Sequence, residues 1–131
     1  DKLRVVGHKR DEDVWLGDSV DLFFSTTPDT RTPFHHIILN PENASWDARQ
    51  NGEMDNSWNP ALVSAAAKEA DAWTLELAVP WEAIGVARPV AGTRIAANIC
   101  RQRMPKREHS SWSTCVSGFQ EPLRFGVWTL R

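Results

Sequence analysis

Seven tryptophans stand beside no tyrosine in this 131-residue chain, and their flat rings are its most conspicuous chemical equipment. Trp is large and seldom wholly buried, so some of the seven must reach a surface or a cleft. Most are assigned to the core or to element ends (Trp73, Trp81, Trp112 and Trp128 among them), leaving one or two for a ligand. Asp21 sits within an alternating segment, where its side chain points opposite to the apolar set. Asp18 and Asp47 are candidate calcium ligands, because hard cations take carboxylate and carbonyl oxygens. His35 and His36 are adjacent, so on a strand they face opposite ways and cannot form a metal pair by themselves. Cys100 and Cys115 are the only two cysteines, enough for one bridge in an oxidising compartment. No nucleophile elbow, HExxH or P-loop pattern occurs. A glycosidase needs two carboxylates at a fixed separation, and Asp21 has no second acid in a matched motif. A non-catalytic protein is expected.

Those side chains must be carried by strands. Val20, Leu22 and Phe24 alternate with Asp21 and Phe23, the period of a half-buried strand, with a turn at Thr27-Pro28-Asp29. Phe34–Asn40 is a second strand closed by Pro41, and Ser45–Ala48 adds a short third. The polar stretch Gln50–Pro60 reads as a loop. Ala61–Lys68 is open between helix, which Ala favours, and a strand leading into a hairpin turn at Asp71-Ala72. Trp73–Val79 alternates and ends at Pro80, where Trp81–Gly85 predicts one helical turn. Arg94–Arg103 and Ser110–Val116 are expected to pair across a turn at Pro105–Glu108, and Phe125–Leu130 closes the fold. Short strands at regular spacing with turn chemistry between them predict an all-β antiparallel sandwich or jelly roll. With the turn centred between Arg107 and Glu108, Cys100 falls opposite Cys115, and either a disulfide or two buried thiols follows.

The formal net charge is −2, with acids and bases interspersed. That excludes the clustered basic face of a nucleic-acid partner; the stretch Arg101–Arg107 is punctuated by Pro105 and reads as a solvated turn. No apolar run approaches membrane-spanning length, so no insertion by this segment is expected. One domain over residues 1–131 fits the length.

Six segments, in order, resemble the family 9 carbohydrate-binding modules of the DOMON-like sandwich group. They are Val14–Phe24 (VWLGDSVDLFF), Ile38–Pro41 (ILNP), Trp73–Trp81 (WTLELAVPW), Ala97–Arg101 (ANICR), Ser111–Ser113 (SWS) and Phe119–Gly126 (FQEPLRFG). The resemblance implies a sandwich that holds a pyranose between two aromatic rings, here at Trp15 and Phe119, with Asp21 accepting from the sugar hydroxyls. Aromatic faces cover the C–H faces of such a ring while in-plane polar groups take its hydroxyls.

The family's pattern is not matched throughout. Ile38 stands where an Arg is usual, Phe119 where Trp is more usual, and Asp21 is shorter than the typical Glu. His36, two residues from Ile38 on the same face, is the expected replacement donor, and Asn98 a further candidate contact. Affinity in the range of about −4 to −6.5 kcal/mol is expected. Only Asp1–Arg10 precede the first motif, whereas the family has earlier strands, so an N-terminally truncated fragment attached to other domains is expected. The resemblance further implies structural calcium as the one candidate cofactor, an extracellular or periplasmic location, and an oligo- or polysaccharide partner of the kind met in polysaccharide degradation. Two alternatives stand beside it. One is a spacer with a degenerate cleft; the other is a haem-binding relative using Met54 or Met104 with a histidine as axial ligands.

Overall fold

The alternation around Leu22 forms the strand it predicts. In the computed structural model, which describes residues 2–131, β1 (Ser19–Ser25) pairs antiparallel with β2 (Phe34–Leu39) on one side. It also pairs antiparallel with a strand spanning Arg94–Arg103 on the other. Beyond β2 the same sheet continues through β3 (Ser45–Asn51) and β4 (Glu53–Asp55). A separate antiparallel pair, β5 (Val63–Lys68) and β6 (Trp73–Ala78), forms the second sheet. The ten-residue Arg94–Arg103 strand is β7, and its two halves take different partners. Cys100–Arg103 pair with β8 (Glu108–Ser111), and Arg94–Ala97 pair with β9 (Gly126–Thr129). The result is seven strands against two. The only helical elements among the described residues are short 3₁₀ turns, as at Val14–Leu16 and Trp81–Ile84. The fold is the all-β, antiparallel, sandwich-like class expected.

Because side chains alternate along a strand, β1 and its neighbours present two different faces. Phe24, Ile37, Leu39, Ile95 and Ala97 point toward the β5–β6 pair, where Leu75, Leu77, Trp81 and Trp128 pack on them. On the other face Phe23, Phe34, Ala96 and Cys100 are covered by Phe125 and by the chain around Phe119. Val14, Ile38, Ala44, Trp46 and Ala48 make a third cluster beside it. Each large apolar side chain so buried contributes about 1.5–3 kcal/mol.

Three elements differ from expectation. The polar stretch 50–60 contains β4, because Gly52, at φ +78°, turns the chain back on β3. Ala61–Lys68 resolves as strand, since pairing with β6 from Val63↔Ala78 to Lys68↔Trp73 outweighs the helix preference of its alanines. The turn after β7 is centred on Met104–Lys106, with Arg107 left-handed at φ 50°, so Glu108 already faces Arg103. That places Ser111, not Cys115, opposite Cys100. Both cysteines are free thiols, and the facing-residue geometry expected for a disulfide is not formed. Trp112 stands just past β8, 57% exposed, with its ring so close over Gly126 that a Cβ there would lie 2.3 Å from it.

Candidate functional site

The outer face of β1 carries the candidate site. Strand register sets Trp46, Ile38, Asp21 and Cys100 in one row across the sheet, and Ala48, His36, Phe23 and Asn98 in the next. Asp21 and His36 lie diagonally, and the ring Nε2–H donates to Asp21 Oδ2 at 2.9 Å. His36 is stacked on Phe23 with 4.1 Å between centroids. The edge of Trp46 meets His36 at 5.3 Å, and Trp15 meets Trp46 edge-on at 5.6 Å. A chain of rings therefore connects Trp15 to the acid.

Trp15 sits on the Val14–Leu16 turn and is 38% exposed. Two contacts fix that turn. The Gln102 amide donates to the carbonyls of Trp15 and Gly17, and Asp18 accepts from the backbone N–H of Arg4 at 2.5 Å and Met104 at 3.1 Å. Gly17 is required here, since a Cβ would lie 2.6 Å from the Arg4 carbonyl oxygen.

Phe119 is half-buried on the other side of Asp21, packed on the cluster that contains Cys100, with its edge toward His109 at 5.5 Å. Its loop is held by Glu121, which accepts from Val116 N–H (2.8 Å), Ser117 N–H (2.7 Å) and Ser117 Oγ–H (2.5 Å). The Ser117 hydroxyl and these amides hold the Glu121 carboxyl down at about 2. The Gln50 amide of β3 donates to Gln120 Oε1 at 3.5 Å, a contact between this loop and β3.

The remaining sequence-derived candidates are placed differently. His36 does not offer its Nε2–H outward as the expected replacement donor, because Asp21 takes it and the residue is only 3% exposed. Asn98 is wholly buried; it accepts from Ser113 N–H and Ile99 N–H and donates to the Ser113 carbonyl and Cys115 Sγ. Its role is the backbone satisfaction that is usual for a buried amide. The acids proposed for calcium do not fit it. Both oxygens of Asp18 accept from backbone N–H groups, and both oxygens of Asp47 accept from Arg10. Among the described residues no group of three or more His, Cys, Asp or Glu could hold a metal ion. Met54 lies on β4 and Met104 just beyond β7, separated by most of the width of the sheet.

His35 takes the opposite face from His36, as strand geometry demands, and lies 4.5 Å from Trp58. Burial, with help from the Arg49 charge, pushes its pKa down to about 4. Burial likewise pushes the Cys100 thiol far up. Two residues that matter to the site had gone unassigned. Trp46 supports Trp15, and its signal was the alternation Ser45–Ala48 beside Ile38. Gln102 anchors the Trp15 turn, and nothing local in the sequence marks it, since its partners lie 87 and 85 residues away.

No protein-family model matches the chain, and no curated protein matches it. Its fold is similar to the crystal structure of a protein from Bacteroides uniformis ATCC 8492 whose inferred role is carbohydrate binding. The TM-score is 0.75 at 15% sequence identity, over 98% of this chain and 68% of that one. At that identity the likeness establishes the fold. No helix among the described residues is long and apolar enough to cross a membrane.

Proposed function

We propose that this domain binds carbohydrate without catalysis, taking a pyranose at the face where Asp21 lies between Trp15 and Phe119. The observation that carries the proposal is an almost buried carboxylate held by His36, linked through His36 and Trp46 to the partly exposed Trp15 and paired across the sheet with Cys100, on whose cluster the half-buried Phe119 packs. Apolar rings suit the C–H faces of a sugar, and a carboxylate pre-oriented by His36 accepts from its hydroxyls. The inferred role of the structurally similar Bacteroides uniformis protein points the same way. So does the resemblance of the Trp15–Phe24 and Phe119–Gly126 segments to family 9 carbohydrate-binding modules. Asp21 has a histidine rather than a second carboxylate as its partner, which suits recognition better than glycoside hydrolysis.

An extracytoplasmic setting follows from the same reading. The test is calorimetric titration of the domain with glucose, cellobiose and xylo-oligosaccharides, beside Trp15→Ala and Asp21→Asn. Saturable binding weakened in both variants supports the proposal. Binding unaffected by either variant, or none with any sugar, leaves the spacer alternative.

A further inference from the structure

A concavity lies on the far side of Phe119 from Asp21. It has a volume of about 460 Å³ and is lined by the loop Cys115–Phe119 together with Gln102 and the β8 residues His109 and Ser111. That volume falls within the roughly 300–1,000 Å³ of small-molecule sites. Two of its lining residues belong to the site already described. Phe119 is the ring beside Asp21, and Gln102 anchors Trp15. The concavity therefore adjoins the proposed site at Phe119.

Its chemistry is narrow. Register places His109 beside Gln102, and Ser111 pairs with Cys100, so these side chains share the face of Asp21. The groove offers an imidazole, a carboxamide, hydroxyls and an aromatic ring, and among the described residues no Asp, Glu, Lys or Arg lines it. Gln102 spends its N–H donors on the Trp15 and Gly17 carbonyls, which leaves its Oε1 as an acceptor. The His109 ring contacts Phe119 by its edge, and its nitrogens are suited to a hydroxyl partner. A lining that both donates and accepts without net charge suits a neutral polyol. An anionic chain would find no counter-charge there.

We infer that this groove is a second saccharide subsite, so that the ligand is a neutral oligosaccharide of at least two pyranose units crossing Phe119. This rests on the sugar-binding reading of the first site and names its ligand class. The larger cavity, about 770 Å³, lies on the other face beside β6 and is lined by Lys2, Lys68, Arg101 and Arg103 with Glu69 and Asp71; that ionic lining does not share the chemistry.

The experiment compares glucose with β-1,4-linked gluco- and xylo-oligosaccharides of two to four units by calorimetry, with an oligogalacturonide as the anionic arm. Two variants address the groove. His109→Ala removes its imidazole, and Gly118→Phe obstructs it at a position where a Cβ meets nothing within 4 Å. A thermal melt confirms that each is folded. The wild-type domain should bind a disaccharide or longer chain about tenfold more tightly than the monosaccharide. Both variants should lose most of that gain while monosaccharide affinity stays within about twofold, and the oligogalacturonide should gain nothing. Monosaccharide binding with no gain on lengthening overturns the subsite and leaves the first site standing. A gain that survives both variants, or is matched by the anionic chain, overturns it too. Absence of binding to every sugar removes both.

Discussion

His36 Nε2 and Asp21 Oδ2 lie 2.9 Å apart across the β1–β2 pair, and the imidazole is trapped between Phe23 and the edge of Trp46. One oxygen of the acid is thus fixed by the protein, and on the proposed reading the other accepts from the ligand. A carboxylate held in this way loses little rotamer freedom when it accepts a hydroxyl, so more of the hydrogen bond appears as affinity.

Asp21→Ala should weaken sugar binding by about 10–100-fold, the loss of one charge-assisted hydrogen bond of roughly 1.5–3 kcal/mol. It should also lower stability by about 1–3 kcal/mol, because the His36 donor is left buried without a partner. Asp21→Asn retains an acceptor and should recover most of the stability and little of the affinity. Titration calorimetry and chemical denaturation of the two variants separate these effects.

The two edge-to-face tryptophans should part company under mutation. Trp15→Ala removes a partly exposed ring, so affinity should fall at least about tenfold while stability changes by less than about 1 kcal/mol. Trp46 is 9% exposed within the Val14–Ile38–Ala48 cluster, and Trp46→Ala should destabilise by about 3–5 kcal/mol. Equal melting temperatures for the two variants would contradict this division.

Acid should weaken the fold through His35. Its folded pKa, about 4, lies below the ordinary 6.5 because burial disfavours the charged ring. The unfolded chain therefore takes up the proton first as pH falls. The contribution is complete above about pH 6.5 and declines toward pH 4, by about 2 kcal/mol once partial solvation of the ring is allowed for. Denaturation midpoints at pH 7.5, 5.5 and 4.5 for the wild type and His35→Leu measure it. The variant's curve should be the flatter of the two across this window.

The cysteines should differ in reactivity. Cys100 is fully buried with a thiol pKa pushed far up, whereas Cys115 is half-buried on the loop that carries Phe119. An aromatic disulfide reagent should modify Cys115 in the native protein and Cys100 only on unfolding. Rapid modification of both in the native state would mean that the loop opens readily.

The strands that carry the site were legible because alternation reports directly on facing. Val20/Leu22/Phe24 against Asp21/Phe23, and His35 against His36, gave the two faces correctly. Pairing was less legible where turns decide it. The left-handed conformation at Arg107 sets the β7–β8 register so that Ser111 faces Cys100, while Cys115 packs on the Cys100 cluster from the following loop, and no nearby residue type dictates such a turn. Tertiary pairing also settled Ala61–Lys68, whose composition left helix and strand open. For the candidate site, the alternation in β1 placed Asp21 opposite Leu22 and Phe24, whereas Trp15 and Phe119 lie on a turn and a loop that strand periodicity does not position. What His36, Asn98, Asp18 and Asp47 do there depends on contacts 14 to 37 residues distant, which a local pattern does not encode.

Every strand at the centre of this protein serves two masters at single-residue spacing. Deleting one residue within β1 would invert the residues on one side of the gap, pressing Leu22 or Phe24 onto the Phe23–Phe125 cluster or driving Asp21 into the hydrocarbon between the sheets. Changes of chain length should therefore be tolerated in the connections, as at Gly52 or Gly92, and not between Ser19 and Ser25. A redesign of ligand preference would have to leave the wholly buried Ser19, Phe23 and Ser25 in place and act through Asp21 and the turns beside it.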